Sequence, residues 1–287
     1  MAIKNVTVVG AGVMGSGIAQ ITATAGYKVM LIGKDKSLAR SIGHIEDNLI
    51  RMVNQNIISE AEKTEILSRI MMSTDLSSAR DSQLVIESIP EVLKLKFDIF
   101  RHLESICPPE TIFASNSSTF PVSLLASATR RKDKVIGTHF MNPVSLMRGV
   151  EVIASADTSR QTINSVERFI KKIGKEPCEA RDHSGFIVSR LVCTLINEAV
   201  RCVMEGNHPE EIDKAMRLCC NFPIGPLELC DLIGSDVVMR CLAVMQAELG
   251  KRVEPCPLLK SQVRSGRLGR KSGKGFYEYK VINAKQK

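Results

Sequence analysis

The stretch VTVVGAGVMGSGIAQITATAGYKVMLIG, residues 6–33, limits what this chain can fold into more than any other. Val6 to Val9 is a short apolar run that suits a fully buried parallel strand. Gly10-Ala11-Gly12-Val13-Met14-Gly15 comes next, then a helical pattern carried by Ile18, Ile21 and Ala25 that stops at Gly26. A second apolar run, Val29 to Ile32, closes the unit. Strand, glycine-rich turn, helix and strand within about 30 residues form the setting in which G-x-G-x-x-G carries meaning. Each glycine has a physical task there. Gly10 turns the chain tightly, Gly12 lets backbone approach a pyrophosphate, and Gly15 lets the helix pack close to the strand. The helix N-terminus, with Met14 in its first turn, then offers N–H groups and partial positive charge to the phosphates. The expectation is α/β: a Rossmann-type doubly wound parallel sheet, with Gly10, Gly12, Met14 and Gly15 against a dinucleotide.

The end of the second strand departs from this pattern. An NAD site usually places Asp or Glu there, to hold the ribose 2′-hydroxyl. Here the place reads Ile32-Gly33-Lys34-Asp35-Lys36-Ser37. Gly33 has no side chain to offer. Lys34 and Lys36 suit a 2′-phosphate, while Asp35 suits a 2′-hydroxyl, so the residues leave NAD against NADP open.

Three later stretches, SQLVIESIPE (82–91), ETIFASNSST (110–119) and KVIGTHFMNP (134–143), each read as a short buried strand ending in polar residues. Ligands collect at the carboxyl ends of strands in such sheets. Glu87, Glu91, Ser115 to Ser118, His139 and Asn142 are therefore expected on one rim. His139 ends an apolar approach, Asn142-Pro143 turns the chain, and Glu151 arrives on a return strand, Val150 to Ile153. That path can bring His139 and Glu151 side by side.

From Gly185 the pattern changes. Ile187, Val188, Leu191, Val192, Leu195, Ile196, Ala199 and Val200 fall at helical spacing, long enough to start a bundle. The expected division is a dinucleotide-binding domain over 1–183 and an all-α domain over 184–287. A chain of 287 residues has length for both. No apolar run approaches the ~20 residues that cross a bilayer. MAIKNVTVVG runs directly into a strand without a signal-peptide pattern, so a cytoplasmic location and no membrane partner are expected. The nine cysteines are odd in number and irregularly spaced, and the five histidines are scattered, so reduced thiols and no metal are expected. The net charge of +8 is diffuse, Trp is absent and Tyr numbers three, which argues against a nucleic-acid surface. Such a field suits a small anionic ligand or an acidic protein.

With those residues assembled, the chain closely resembles the L-3-hydroxyacyl-CoA dehydrogenases of the short, single-function type. The resemblance covers nearly the whole length. It rests on GAGVMGSGIAQ, VIES…E…K, FASNSS, GTHFMNPV, VEVI, GFIVSRL, INEAV, PIGPLELCDLIGSD and LGRKSGKGFYEY. It implies a helical domain that serves dimerisation and substrate binding, NAD as cofactor, and a homodimer. It also implies roles: His139 as the base that takes the hydroxyl proton, Glu151 orienting it, and Ser118 bonding the substrate hydroxyl. Glu91, Lys96, Asn116 and Asn142 match positions that contact the dinucleotide, and Gly33 and Lys34 stand at the ribose end of the same expected site.

Three departures accompany the match. Ser184-Gly185-Phe186-Ile187-Val188-Ser189-Arg190 carries Ser189 where the family's substrate-site asparagine stands, so Ser189 takes that place among the expected catalytic residues. Met141, the run Val144 to Gly149 and Phe120-Pro121 differ next to His139, which raises the expectation of a remodelled pocket. Gly33-Lys34 is the third. The leading expectation is an NAD(P)-dependent oxidoreductase acting at C3 of a short 3-hydroxyacyl thioester on coenzyme A. The alternatives are the same chemistry on an acyl-carrier-protein thioester, or on a free hydroxy acid with Arg148 and Ser189 holding its carboxylate. A non-catalytic relative, like the lens crystallins of this family, is disfavoured by Ser118, His139 and Glu151 occurring together.

Overall fold

The computed structural model describes residues 3–279. Residues 1, 2 and 280–287 of the expected domain ranges lie outside the described residues. The chain divides after His183 into two compact units.

The first unit is an eight-stranded sheet in the order β3-β2-β1-β4-β5-β6-β7-β8. Strand β1 (Asn5–Val9) leads through the glycine turn into α1 (Val13–Thr24) and back to β2 (Lys28–Ile32). Helices α2 (Asp35–Asn54) and α3 (Glu60–Ser68) carry the chain to β3 (Ile70–Ser73). It then crosses to β4 (Leu84–Glu87) on the other side of β1, and β1 pairs in parallel with both β2 and β4. The carboxyl ends of β1 and β4 thus flank the point where strand order reverses, the place where such sheets bind ligands. Helix α4 (Leu93–Ile106) leads to β5 (Ile112–Ser115), and α5 (Val122–Ala126) precedes β6 (Val135–Phe140). LVIE in β4 and IFAS in β5 are buried at every position, because helices cover both faces of a parallel sheet.

Strand β7 (Gly149–Ala154) runs antiparallel to β6, and α6 (Arg160–Lys172) then returns the chain to β8 (Glu176–Arg181), parallel to β7. The sheet is therefore mostly parallel rather than wholly so. The short strand β3 and the edge strand β8 were not expected from the sequence. Glu176–Arg181 is largely exposed and lacks an apolar pattern, so nothing in its composition marks a strand. Val8, Ile18, Leu31, Ile86, Phe169 and Ile170 lie in the core of this unit. Each such side chain contributes roughly 1.5–3 kcal/mol on burial.

The second unit is helical among its described residues. It comprises α7 (Val188–Met204), α8 (Pro209–Cys220), α9 (Pro226–Ile233), α10 (Ser235–Leu249) and α11 (Pro257–Arg264). Helices α8, α9 and α11 start with proline, where a missing N–H costs nothing. Ile196, Val200, Leu227, Leu242 and Leu259 build its core. Two buried carboxylates tie the remaining chain to it. Asp213 accepts the Leu227 and Glu228 N–H groups, each at 2.8 Å, and the Tyr277 hydroxyl at 2.7 Å. Asp231 accepts the Phe276 N–H at 3.0 Å and the Tyr277 N–H at 2.9 Å. A Cβ on Gly275 would stand 2.0 Å from the Asp231 carboxylate, so only glycine passes there. The motifs PIGPLELCD and GKGFYEY are thus two halves of one backbone-capping arrangement. Among the described residues, no helix is long and apolar enough to cross a membrane.

Candidate active site

The glycine turn has the shape a dinucleotide requires. Gly10 has φ +115°, and a Cβ there would meet the Ser88 carbonyl oxygen at 2.3 Å. A Cβ on Gly15 would lie 1.7 Å from the Gly10 carbonyl oxygen, so α1 could not approach the turn. Gly12 differs: it is exposed, and nothing stands within 4 Å of where its Cβ would be. Gly12 also caps α1 without a side-chain hydrogen bond, and the first turn holds no acidic residue. Open space in front of an uncapped helix N-terminus fits a pyrophosphate. Met14 takes part by its backbone, since its side chain packs on the core of this unit. Gly33 ends β2 directly against this turn, with Lys34 exposed beyond it.

On the far side of the reversal point, β6 and β7 pair in a register that sets His139 opposite Glu151. Both are buried on the same face of the ladder, and His139 Nδ1 lies 2.7 Å from Glu151 Oε2. An ionised carboxylate only accepts, so the ring proton belongs on Nδ1. Nε2 is then an acceptor, 3.0 Å from the Ser118 hydroxyl. A neutral imidazole held in this way can take a proton at Nε2 and shed the resulting charge toward Glu151.

Ser118 is itself held from below. Glu91 Oε1 accepts the N–H groups of Ser118 at 3.2 Å and Thr119 at 3.1 Å, together with the Ser117 and Thr119 hydroxyls. The ammonium of Lys96 bridges Glu87 Oε1 at 2.7 Å and Glu91 Oε2 at 3.1 Å. Glu87 is further satisfied by the Ile89 N–H and the Ser115 hydroxyl. Burial works to raise the Glu91 carboxyl, but Lys96 and the two hydroxyls outweigh it and hold it below the usual carboxylate range. Burial likewise works to lower Lys96, and the two carboxylates outweigh it and hold the ammonium above its ordinary value.

The expected residues fall at different depths in this arrangement. Lys96 is 1% exposed, with its ammonium between two carboxylates, so it supports the rim from within. Glu87, Ser115 and Ser117 are likewise buried beneath the rim rather than on it. Asn116 accepts the Phe140 N–H at 2.8 Å and so fixes the backbone next to His139. Asn142 is exposed at the turn after β6. Val144, expected near the pocket, is a core residue; a Cβ on Gly17 would meet its Cβ at 2.9 Å. Arg148 is exposed and pairs with Glu176 at the surface. Ser189 lies half-buried in the first turn of α7, in the helical unit.

The sequence reading missed Lys175. It is buried, and its ammonium donates to the Ser145 and Met147 carbonyls at 3.2 and 2.7 Å, with burial lowering its pKa. It thereby tethers the loop that follows His139. A lysine in a mixed-polarity connection gives no pattern from which this could be read. Lys96 did leave a signal: with Phe100 and Leu103 it completes an i, i+4, i+7 stripe, and all three are buried.

Comparison with known proteins identifies the family. Residues 5–183 match the NAD binding domain of 3-hydroxyacyl-CoA dehydrogenase, and residues 185–279 match the C-terminal domain of the same family. The chain is 42% identical over 282 residues to a probable 3-hydroxybutyryl-CoA dehydrogenase of Bacillus subtilis, covering 97% of this chain and 98% of that one. It is 44% identical over 275 residues to a similarly named protein of Deinococcus radiodurans, covering 95% and 99%. The crystal structure of (S)-3-hydroxybutyryl-CoA dehydrogenase from Ralstonia eutropha superposes with a TM-score of 0.92 at 38% identity, covering 97% of this chain and 99% of that one. The sheet, the glycine turn and the two matched domains make the chain a member of the 3-hydroxyacyl-CoA dehydrogenase family, NAD-dependent oxidoreductases of hydroxyacyl thioesters.

Proposed function

We propose that the chain interconverts a short 3-hydroxyacyl-CoA and its 3-oxoacyl form, with His139 as the base. One observation carries this reading: His139 stands between Glu151 at 2.7 Å and Ser118 at 3.0 Å. A substrate hydroxyl at the Ser118 end of that line gives its proton to Nε2, while Ser118 donates to the substrate oxygen. Glu151 stabilises the imidazolium that forms. Glu91 keeps Ser118 in place through the N–H groups of Ser118 and Thr119. The bound dinucleotide supplies the hydride acceptor when the alcohol is oxidised and the hydride donor in the reverse direction. Gly10, Gly12 and Gly15 shape its pyrophosphate site, and Asn116 and Asn142 lie toward the rim that would meet its nicotinamide end.

The names of the relatives support coenzyme A as the thioester carrier and give the carrier-protein alternative no support. Exposed Leu191, Leu218 and Phe222 in the helical unit support a homodimer formed through that unit. Nine free cysteines suit a reducing, cytoplasmic compartment. The test is turnover of acetoacetyl-CoA, followed by nicotinamide absorbance, in wild type and His139→Ala. The variant should lose ~10³-fold in kcat with dinucleotide binding retained. Near-normal turnover would show that His139 is not the base.

A further inference from the structure

We propose that this chain selects the 2′-phosphorylated dinucleotide, NADP(H), through Gly33, Lys34 and Lys36 at the end of β2. The inference rests on the dinucleotide-dependent dehydrogenase reading above and concerns only the adenosine end of that cleft.

The position of residue 33 is fixed on two sides. The Gly10 N–H donates to the Ile32 carbonyl at 2.8 Å, and the Gly33 N–H donates to the Ser73 carbonyl at 3.1 Å. A Cβ on Gly33 would stand 2.5 Å from the Ala11 Cβ, so the strand end presses on the glycine turn itself. A carboxylate at this place in a Rossmann unit accepts from the ribose 2′-hydroxyl. The same charge repels a 2′-phosphate. Gly33 removes the acceptor and the repulsion together.

Cations follow at once. Lys34 precedes the first residue of α2, and Lys36 and Arg40 stand on its first two turns, all three exposed. Among the described residues none of the three is engaged in an ion pair. The Arg40 Nε donates to the Lys36 carbonyl at 3.1 Å, which keeps the guanidinium over the start of the helix. Lys36 and Arg40 are four residues apart, a like-charge spacing that destabilises a helix unless an anion relieves it. The opposing charge in this stretch is Asp35, so three cations face one carboxylate between residues 33 and 40. A dianionic phosphate suits that balance better than a hydroxyl, and lysine serves phosphate as a point charge.

Binding rather than turnover tests this directly. The chain contains no Trp, so the fluorescence gain of the reduced nicotinamide on binding can be followed without interference. Wild type should bind NADPH about tenfold more tightly than NADH, and adenosine 2′,5′-bisphosphate should displace the cofactor better than AMP. Lys34→Ala/Lys36→Ala should weaken NADPH at least about tenfold and leave NADH within about twofold. Gly33→Asp should reverse the preference. Because its side chain meets Ala11, the lysine pair, on the exposed surface, remains the deciding variant. Tighter binding of NADH by wild type, equal losses for both cofactors in the lysine variant, or a loss of NADH in Asp35→Ala would each overturn the proposal. Selective NADPH binding without reduction of acetoacetyl-CoA would leave it standing and sink the substrate reading instead.

Discussion

Replacing Lys96 with methionine keeps the stem that packs with Phe100 and Leu103 and removes only the ammonium. Glu87 and Glu91 then face each other as carboxylates, 1% and 18% exposed, with no counter-charge between them. Their hydrogen bonds from Ile89, Ser115, Ser117 and Thr119 survive. Removing one partner of a buried ion pair costs about 3–5 kcal/mol, because the charge left behind stays desolvated. Here two charges stay, so the upper half of that range is expected near neutral pH. Protonation relieves it. In wild type the Glu91 carboxyl lies below its usual range, so its contribution is present above the unfolded value and fades as pH falls through the folded one. In the variant, burial and mutual repulsion outweigh the surviving hydrogen bonds, so one carboxyl takes up a proton on folding and stability falls as pH rises. The gap between wild type and variant should therefore widen from about pH 5 to about pH 8. Urea unfolding followed by circular dichroism at both pH values measures it. Lys94→Met is the control: Lys94 is 86% exposed and paired with Asp98, and its loss should cost under about 0.5 kcal/mol. A Lys96 variant within about 1 kcal/mol of wild type at the higher pH, or a gap that does not change with pH, would refute the reasoning.

Further outcomes follow from other contacts. Glu151→Gln keeps an acceptor for His139 Nδ1 and loses the charge, so kcat should fall about five- to thirtyfold, matching about 1–2 kcal/mol of imidazolium stabilisation, with the Kd for dinucleotide unchanged. Gly15→Ala should abolish measurable dinucleotide binding, because its methyl would lie 1.7 Å from the Gly10 carbonyl; binding within tenfold of wild type would show that the turn is pliant. Tyr277→Phe removes the hydroxyl 2.7 Å from buried Asp213 and should cost about 1–3 kcal/mol, read as an earlier thermal transition with dinucleotide affinity unaltered.

Much of this was legible because it is local. The glycine turn, the strand before it and the helix after it lie within one unit of chain, and each glycine's need is set by its neighbours. The pairing of His139 with Glu151 was legible too, because an antiparallel ladder converts spacing along the chain into adjacency. Strands β3 and β8 were not legible. They lie at the sheet edges: β3 is only four residues long, and β8 is exposed there and carries no apolar pattern. The support under Ser118 was half legible. By residue type Lys94 and Lys96 are alike, yet they face opposite ways on α4, and within the helix the stripe with Phe100 and Leu103 separates them. Asp213 and Asp231 could not be assigned before their partners were known. Their ligands are backbone N–H groups as far as 46 residues away, which no residue type announces.

Lys175 holds the loop after His139 by its carbonyl oxygens, and a carbonyl is the same whatever side chain its residue bears. Leu146 is 74% exposed and Met147 43% exposed, free of the tether that fixes their backbone. The β6–β7 ladder sets the His139–Glu151 pair, while the clamp on the loop is indifferent to the side chains at 145–147. Substitution of Leu146 or Met147 should therefore leave the spacing of His139 and Glu151 unchanged.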